Sequence, residues 1–123
     1  MLKLTSAQRA EYRAGVARRE AESQRRCAEH LARAWEVANA AAALLRARYG
    51  ATRVVIFGSL AQPARFHARS DVDLAVWGID ERSYLRAVAD VTALDANLLV
   101  DLVRVEEAAP SLLITIEQEG REL

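Results

Sequence analysis

Two aspartates with one residue between them, Asp71 and Asp73, open a short apolar run separated from a Gly58-Ser59 pair by eleven residues, and a third acid, Asp101, lies in a later apolar run. Side chains alternate across a strand, so Asp71 and Asp73 on one strand project from the same face, about 6.5–7 Å apart at the backbone. If the run carrying Asp101 lies beside them, the three form one carboxylate cluster. Hard oxygen donors of this kind suit Mg²⁺ or Mn²⁺, which keep positions for water and phosphate oxygens. Two such ions about 3.5–4 Å apart can activate an attacking oxygen and stabilise a leaving one across a phosphorus atom. Gly58-Ser59 supplies a complementary part. Glycine lets backbone N–H groups approach a phosphate and the serine hydroxyl adds a donor, which suits the terminal phosphates of a nucleotide.

These residues need strands to hold them, and the chain has the signals. From Ser6 to Tyr49 there is no proline and one glycine, and the stretch is rich in Ala, Arg, Glu, Gln and Leu, all good helix formers. Thr5 or Ser6 serves as N-cap and Gly50 as the left-handed residue that ends the helix. In its second part Cys27, Leu31, Trp35, Ala38, Ala42, Leu45 and Tyr49 recur at three- and four-residue steps, an apolar stripe that faces a core. The first part is crowded with charge between Arg18 and Arg26, and has only Tyr12, Val16 and alanines as apolar anchors. An unbroken helix would be about 66 Å long at 1.5 Å per residue. The expectation is therefore either a break near residues 22–27 or a first half that projects and packs on another chain.

After Gly50, Arg53–Phe57 reads as a buried strand, residues 60–70 with Pro63 as a loop, and Asp71–Trp77 as a second strand closed by Gly78. Residues 81–95 read as a helix, Leu98–Val105 as a third strand and Pro110 to Gly120 as a last helix. The expected order is helix, strand, strand, helix, strand, helix.

A chain of 123 residues and 13.6 kDa, 52% apolar and 28% charged, suits one globular domain. Seventeen basic and seventeen acidic residues cancel, which gives no argument for a nucleic-acid or anionic-membrane binder. The cancellation hides an asymmetry: residues 1–50 carry ten basic and five acidic groups, residues 51–123 seven and twelve. Halves of opposite sign attract each other or a partner. A single cysteine, Cys27, excludes an internal disulfide and a Cys-rich zinc site, and fits a reducing cytoplasm. No run has signal-peptide or membrane-span length. His30 and His67 lack a second histidine at ligand spacing and read as solvated side chains. Cys27, Trp35 and Trp77 read as packing residues, and the arginines from Arg18 to Arg26, interleaved with Glu20 and Glu22, as a solvated helix face.

The runs Val54-Val55-Ile56-Phe57-Gly58-Ser59, Ser70-Asp71-Val72-Asp73-Leu74 and Val100-Asp101-Leu102-Val103 resemble the minimal nucleotidyltransferases (MNT) of the DNA polymerase β superfamily. The resemblance spans roughly residues 27–123, including the closing Ile116-x-x-Glu119-Gly120 pattern, and leaves residues 1–26 as a helical extension. It implies an α/β (α+β) polymerase β-like fold, a small mixed sheet with flanking helices. It implies Mg²⁺ or Mn²⁺ on Asp71, Asp73 and Asp101, with Asp101 also helping to activate the acceptor hydroxyl. Gly58 and Ser59 then hold the β,γ-phosphates of ATP, with Ser70 and Arg65 also at the nucleotide. By resemblance the activity is transfer of AMP to a hydroxyl, the acceptor being a tyrosine of a HEPN-type partner toxin. A homodimer through the N-terminal helix is a further expectation. The family commonly reads Gly-Ser-x-Ala-Arg-Gly at the turn, whereas this chain has Gly58-Ser59-Leu60-Ala61-Gln62-Pro63. Glutamine offers hydrogen bonds and no charge, and Arg65 or Arg69 in the same loop are the candidate replacements. The alternatives are a catalytically weak antitoxin that occludes its partner through the N-terminal helix, and a small-molecule nucleotidyltransferase.

Overall fold

The computed structural model describes residues 3–123. Helix α1 runs unbroken from Ser6 to Tyr49. Thr5 starts it with a reciprocal capping box: its hydroxyl accepts from the Gln8 amide while the Gln8 side chain accepts from the Thr5 amide. Gly50 stops it at φ 69°, where its amide reaches back to the carbonyls of the last turn. Of the two alternatives expected, the break near residues 22–27 is absent. Nothing there forces one, since the segment holds no proline or glycine and every residue favours helix or tolerates it. The second half of α1 buries Ala34, Val37, Ala38, Ala41, Ala42 and Leu45, with Cys27, Leu31, Trp35 and Tyr49 packed around them. The first half projects.

The remainder builds a four-stranded mixed sheet from β1 (Arg53–Phe57), β2 (Val72–Trp77), β3 (Val100–Arg104) and β4 (Arg121–Glu122), in the order β3-β2-β1-β4. β1 pairs antiparallel with β2 and β4, and β2 pairs parallel with β3. The two-residue β4 follows α3 (Pro110–Glu119) and was not expected from the sequence. α2 (Tyr84–Thr92) is shorter than the expected helix, and a 3₁₀ turn at Glu81–Ser83 leads into it. β3 is likewise shorter than the expected Leu98–Val105.

Alternation along the strands divides the side chains between two faces. Val54, Ile56, Val72, Leu74, Val76, Val100 and Leu102 join α1 and α2 in the main core. Val55, Phe57, Ala75 and Val105 pack under α3 through Ile116, Leu112 and Leu113. Arg53 locks the α3 side: its guanidinium lies 4.3 Å from the Trp77 ring centroid and pairs with Glu117 and Glu122, tying β1, β2, α3 and β4 together.

Candidate active site

The site lies on the α3 face of the sheet, where β1 ends and β2 and β3 begin. Antiparallel register sets Phe57 opposite Asp73, and parallel register sets Asp73 opposite Asp101. The two carboxylates therefore leave adjacent strands on one face, as expected. Asp71 lies two residues before Asp73, just ahead of β2, and is exposed. Asp73 is half-buried, and its carboxyl is pushed up to about 6 by that burial first and then by the charges of Asp101 and Asp71. Burial is the larger cause, and the neighbouring Asp101 and Asp71 charges add to it.

The ion pairs among the described residues engage other acids and leave these three without a basic partner. No three His, Cys, Asp or Glu side chains among the described residues are already drawn to the spacing of a bound ion. The sheet thus makes the aspartates neighbours without closing a cage. The donor set fits a hard divalent cation: all oxygen, acidic, and raised in free energy by mutual repulsion that a cation would relieve.

Gly58 begins the 3₁₀ turn Gly58–Ala61 directly after β1, with φ 72°. A Cβ there would collide with Asp73 Oδ2. Both its backbone conformation and its missing side chain are thus required for the turn to press against the carboxylate. Ser59 follows, half-buried, and no side chain caps the start of the turn. A second 3₁₀ turn, Pro63–Arg65, succeeds it. Arg65 is exposed there, and its Nη1 donates to Gln62 Oε1 at 3.1 Å. The residue in the family's arginine position therefore holds another arginine in the same loop.

Ser70 is buried, with its hydroxyl accepting from the His67 amide at 2.9 Å. It enters the site as a brace for the loop ahead of Asp71. The expectation that His30 is solvated is overturned: it is half-buried, donates from Nε2 to the Ser70 carbonyl at 2.7 Å and stacks on Phe66 at 5.4 Å between centroids. Its place next to Leu31 and three residues from Cys27, on the edge of the apolar stripe, is the sequence signal that could have found it. Cys27 packs beside it against the Phe66 carbonyl, while His67 is exposed and accepts from the Arg69 amide. On the outer edge of the sheet, a cleft of about 230 Å³ beside Asp101 is lined by residues that include Tyr84, Arg104 and Glu107. Tyr84 donates there to the Leu102 carbonyl.

A strand, a tight Gly-Ser turn, and three acids on or just ahead of the next two strands define a nucleotide-transfer fold. The family described as polymerase beta, nucleotidyltransferase matches residues 41–123, and this chain belongs to it. Among solved structures it is similar to a toxin–antitoxin determined with AMP-PNP, at 25% identity and a TM-score of 0.59, covering 68% of this chain and 69% of that one. It is similar also to a mutant form of the toxin–antitoxin MntA–HpeT, at 26% identity and TM-score 0.57, covering 69% of each chain. The tri-AMPylated Shewanella oneidensis HEPN toxin in complex with MNT antitoxin shares the fold, at 20% identity and TM-score 0.56, covering 72% of this chain and 70% of that one. A comparison with curated proteins found no match. No helix among the described residues is long and apolar enough to cross a membrane.

Proposed function

We propose that this nucleotidyltransferase moves AMP from ATP to a hydroxyl, and that the acceptor is a tyrosine of a HEPN-type toxin with which it pairs. The observation that carries the reading is the alignment of Asp73 with Asp101 across the parallel strands, beside a glycine turn that touches Asp73. The likeness to a toxin–antitoxin solved with AMP-PNP supports the nucleotide and the partner. Asp71, Asp73 and Asp101 would hold Mg²⁺ or Mn²⁺, which when bound supplies charge stabilisation to the phosphates and to the attacking oxygen.

The chain's own residues do the rest. Gly58 and Ser59 hold the β,γ-phosphates through close backbone approach and the serine hydroxyl. Arg65, steadied by Gln62, supplies the positive charge that the family draws from the turn itself. Ser70, fixed by His67 and His30, sets the entry of Asp71. Asp101 stands at the edge cleft and takes the acceptor proton. The acceptor oxygen bonds to the α-phosphorus as the bond to pyrophosphate breaks, and pyrophosphate leaves.

Incubation of the purified protein and its partner with α-³²P-ATP and Mg²⁺ tests this reading. Label is expected on the partner, and none when Asp71→Asn replaces the natural chain. Absence of label together with retained neutralisation by an Asp71→Asn/Asp73→Asn variant would establish the occluding antitoxin in its place. The observation favouring that second reading is the loss of the turn arginine at Gln62.

A further inference from the structure

We propose that the projecting half of α1 is an antiparallel homodimerisation arm, in which the Ala7-to-Ala21 face of one copy lies against the same face of a second copy. The inference does not rest on the transfer activity. From Lys3 to Arg26 every residue but Gly15 and Val16 is exposed, and the packing of α1 on its own chain begins at Cys27 and His30. Residues 6–26 thus form a free rod of about 31 Å. A rod of this length gains little from its own contacts in water.

The arm is not featureless. Ala7, Ala10, Ala14, Ala17 and Ala21 recur at alternating three- and four-residue steps. Such a spacing keeps one seam facing a partner helix, and alanine lets two helices approach closely. The charges flanking the seam select the partner and its direction. Glu11, Arg18 and Arg25 border one side, Arg13 and Glu20 the other. When a second copy runs antiparallel about a two-fold axis between Gly15 and Val16, Ala14 meets the partner's Ala17. Glu11 then faces the partner's Arg18, and Arg13 faces the partner's Glu20. The two-fold repeats both, giving four complementary pairs.

Shifting by one heptad in either direction instead sets Arg13 against the partner's Arg13 and Glu11 against the partner's Glu11, or Glu20 and Arg18 against their own copies. A parallel pair opposes Arg13 to the partner's Arg18. Among these arrangements the antiparallel register centred at 15/16 alone pairs Glu11, Arg13, Arg18 and Glu20 without a like-charge contact, leaving Arg25 outside the paired set, and mismatches of this kind are how helical pairs reject wrong registers.

Light scattering on the full-length protein tests the assignment, at tens of micromolar and in both low and high salt. The expected mass at low salt is about 27 kDa, twice the 13.6 kDa of one chain, falling toward one chain as salt screens exposed pairs. Glu11→Arg/Glu20→Arg replaces all four attractions with repulsions and is expected to give a monomer of unchanged helicity. Adding Arg13→Glu/Arg18→Glu restores complementarity in this register alone and is expected to restore the dimer. A single-chain mass for the natural protein at low salt would overturn the proposal and leave the arm to a partner of another sequence. So would a dimer that survives the double substitution, or a quadruple variant that stays monomeric.

Discussion

Asp73 is where the demands of folding and of chemistry oppose each other. Its carboxyl sits at about 6 in the fold against an ordinary 3.8, so the folded state favours the protonated form. In metal-free protein the stability tied to that preference is fully present below about pH 4 and is lost as pH rises through 6. Asp73→Asn is therefore expected to abolish transfer yet to raise the melting temperature in chelator at pH 7.5 by a few degrees. The gain should shrink toward pH 4, which calorimetry across that range checks. Gly58→Ala is expected to act oppositely on stability, lowering it by about 1–2 kcal/mol through its left-handed backbone alone. Transfer should fall with it, because the new methyl meets Asp73 Oδ2; denaturant titration and the labelling assay read the two effects separately. Arg65 carries a third expectation. Arg65→Ala should raise KM for ATP about tenfold, the equivalent of ~1.4 kcal/mol, and Gln62→Arg in that background should recover most of it.

At the scale of elements, α1 and the loop from Gln62 to Ser70 act as one unit through His30. His30→Ala is expected to cost about 1–2 kcal/mol, to speed proteolysis within residues 62–70 and to raise KM for ATP, whereas His30→Gln, which can still donate to the Ser70 carbonyl, should restore all three. The strands bearing the aspartates were legible in the sequence because β-branched runs bounded by glycine have few other solutions, and the pairing of Asp73 with Asp101 followed once β3 lay beside β2. His30 was legible only in part: its place on the edge of the apolar stripe hinted at burial, but nothing local named the carbonyl forty residues away that accepts its hydrogen bond. β4 escaped for a related reason. Two residues, Arg121 and Glu122, carry no periodicity, and only the arrival of α3 beside β1 makes them a strand. The continuity of α1 also lay beyond composition, since the choice between a broken and a projecting helix turns on what the first half can touch.

For the whole molecule, the division at Cys27 means that body and arm are separable. A chain beginning at Cys27 is expected to keep a cooperative unfolding transition and the labelling activity, while its melting temperature ceases to depend on protein concentration; scanning calorimetry over a hundredfold dilution checks both. The unbroken helix joining the two parts has one more consequence, and it concerns insertions and deletions. Each residue added between Arg26 and Cys27 turns the arm by about 100° and shifts it by 1.5 Å relative to the body. A single insertion would leave the contacts within each part untouched and still swing the catalytic end to another side of the rod. Seven or eleven residues return the arm to within about 20° of its starting angle, and about eighteen bring it back into line. Length variation at this junction in related chains should accordingly favour steps of about seven, eleven or eighteen residues, a pattern that point substitutions would never reveal.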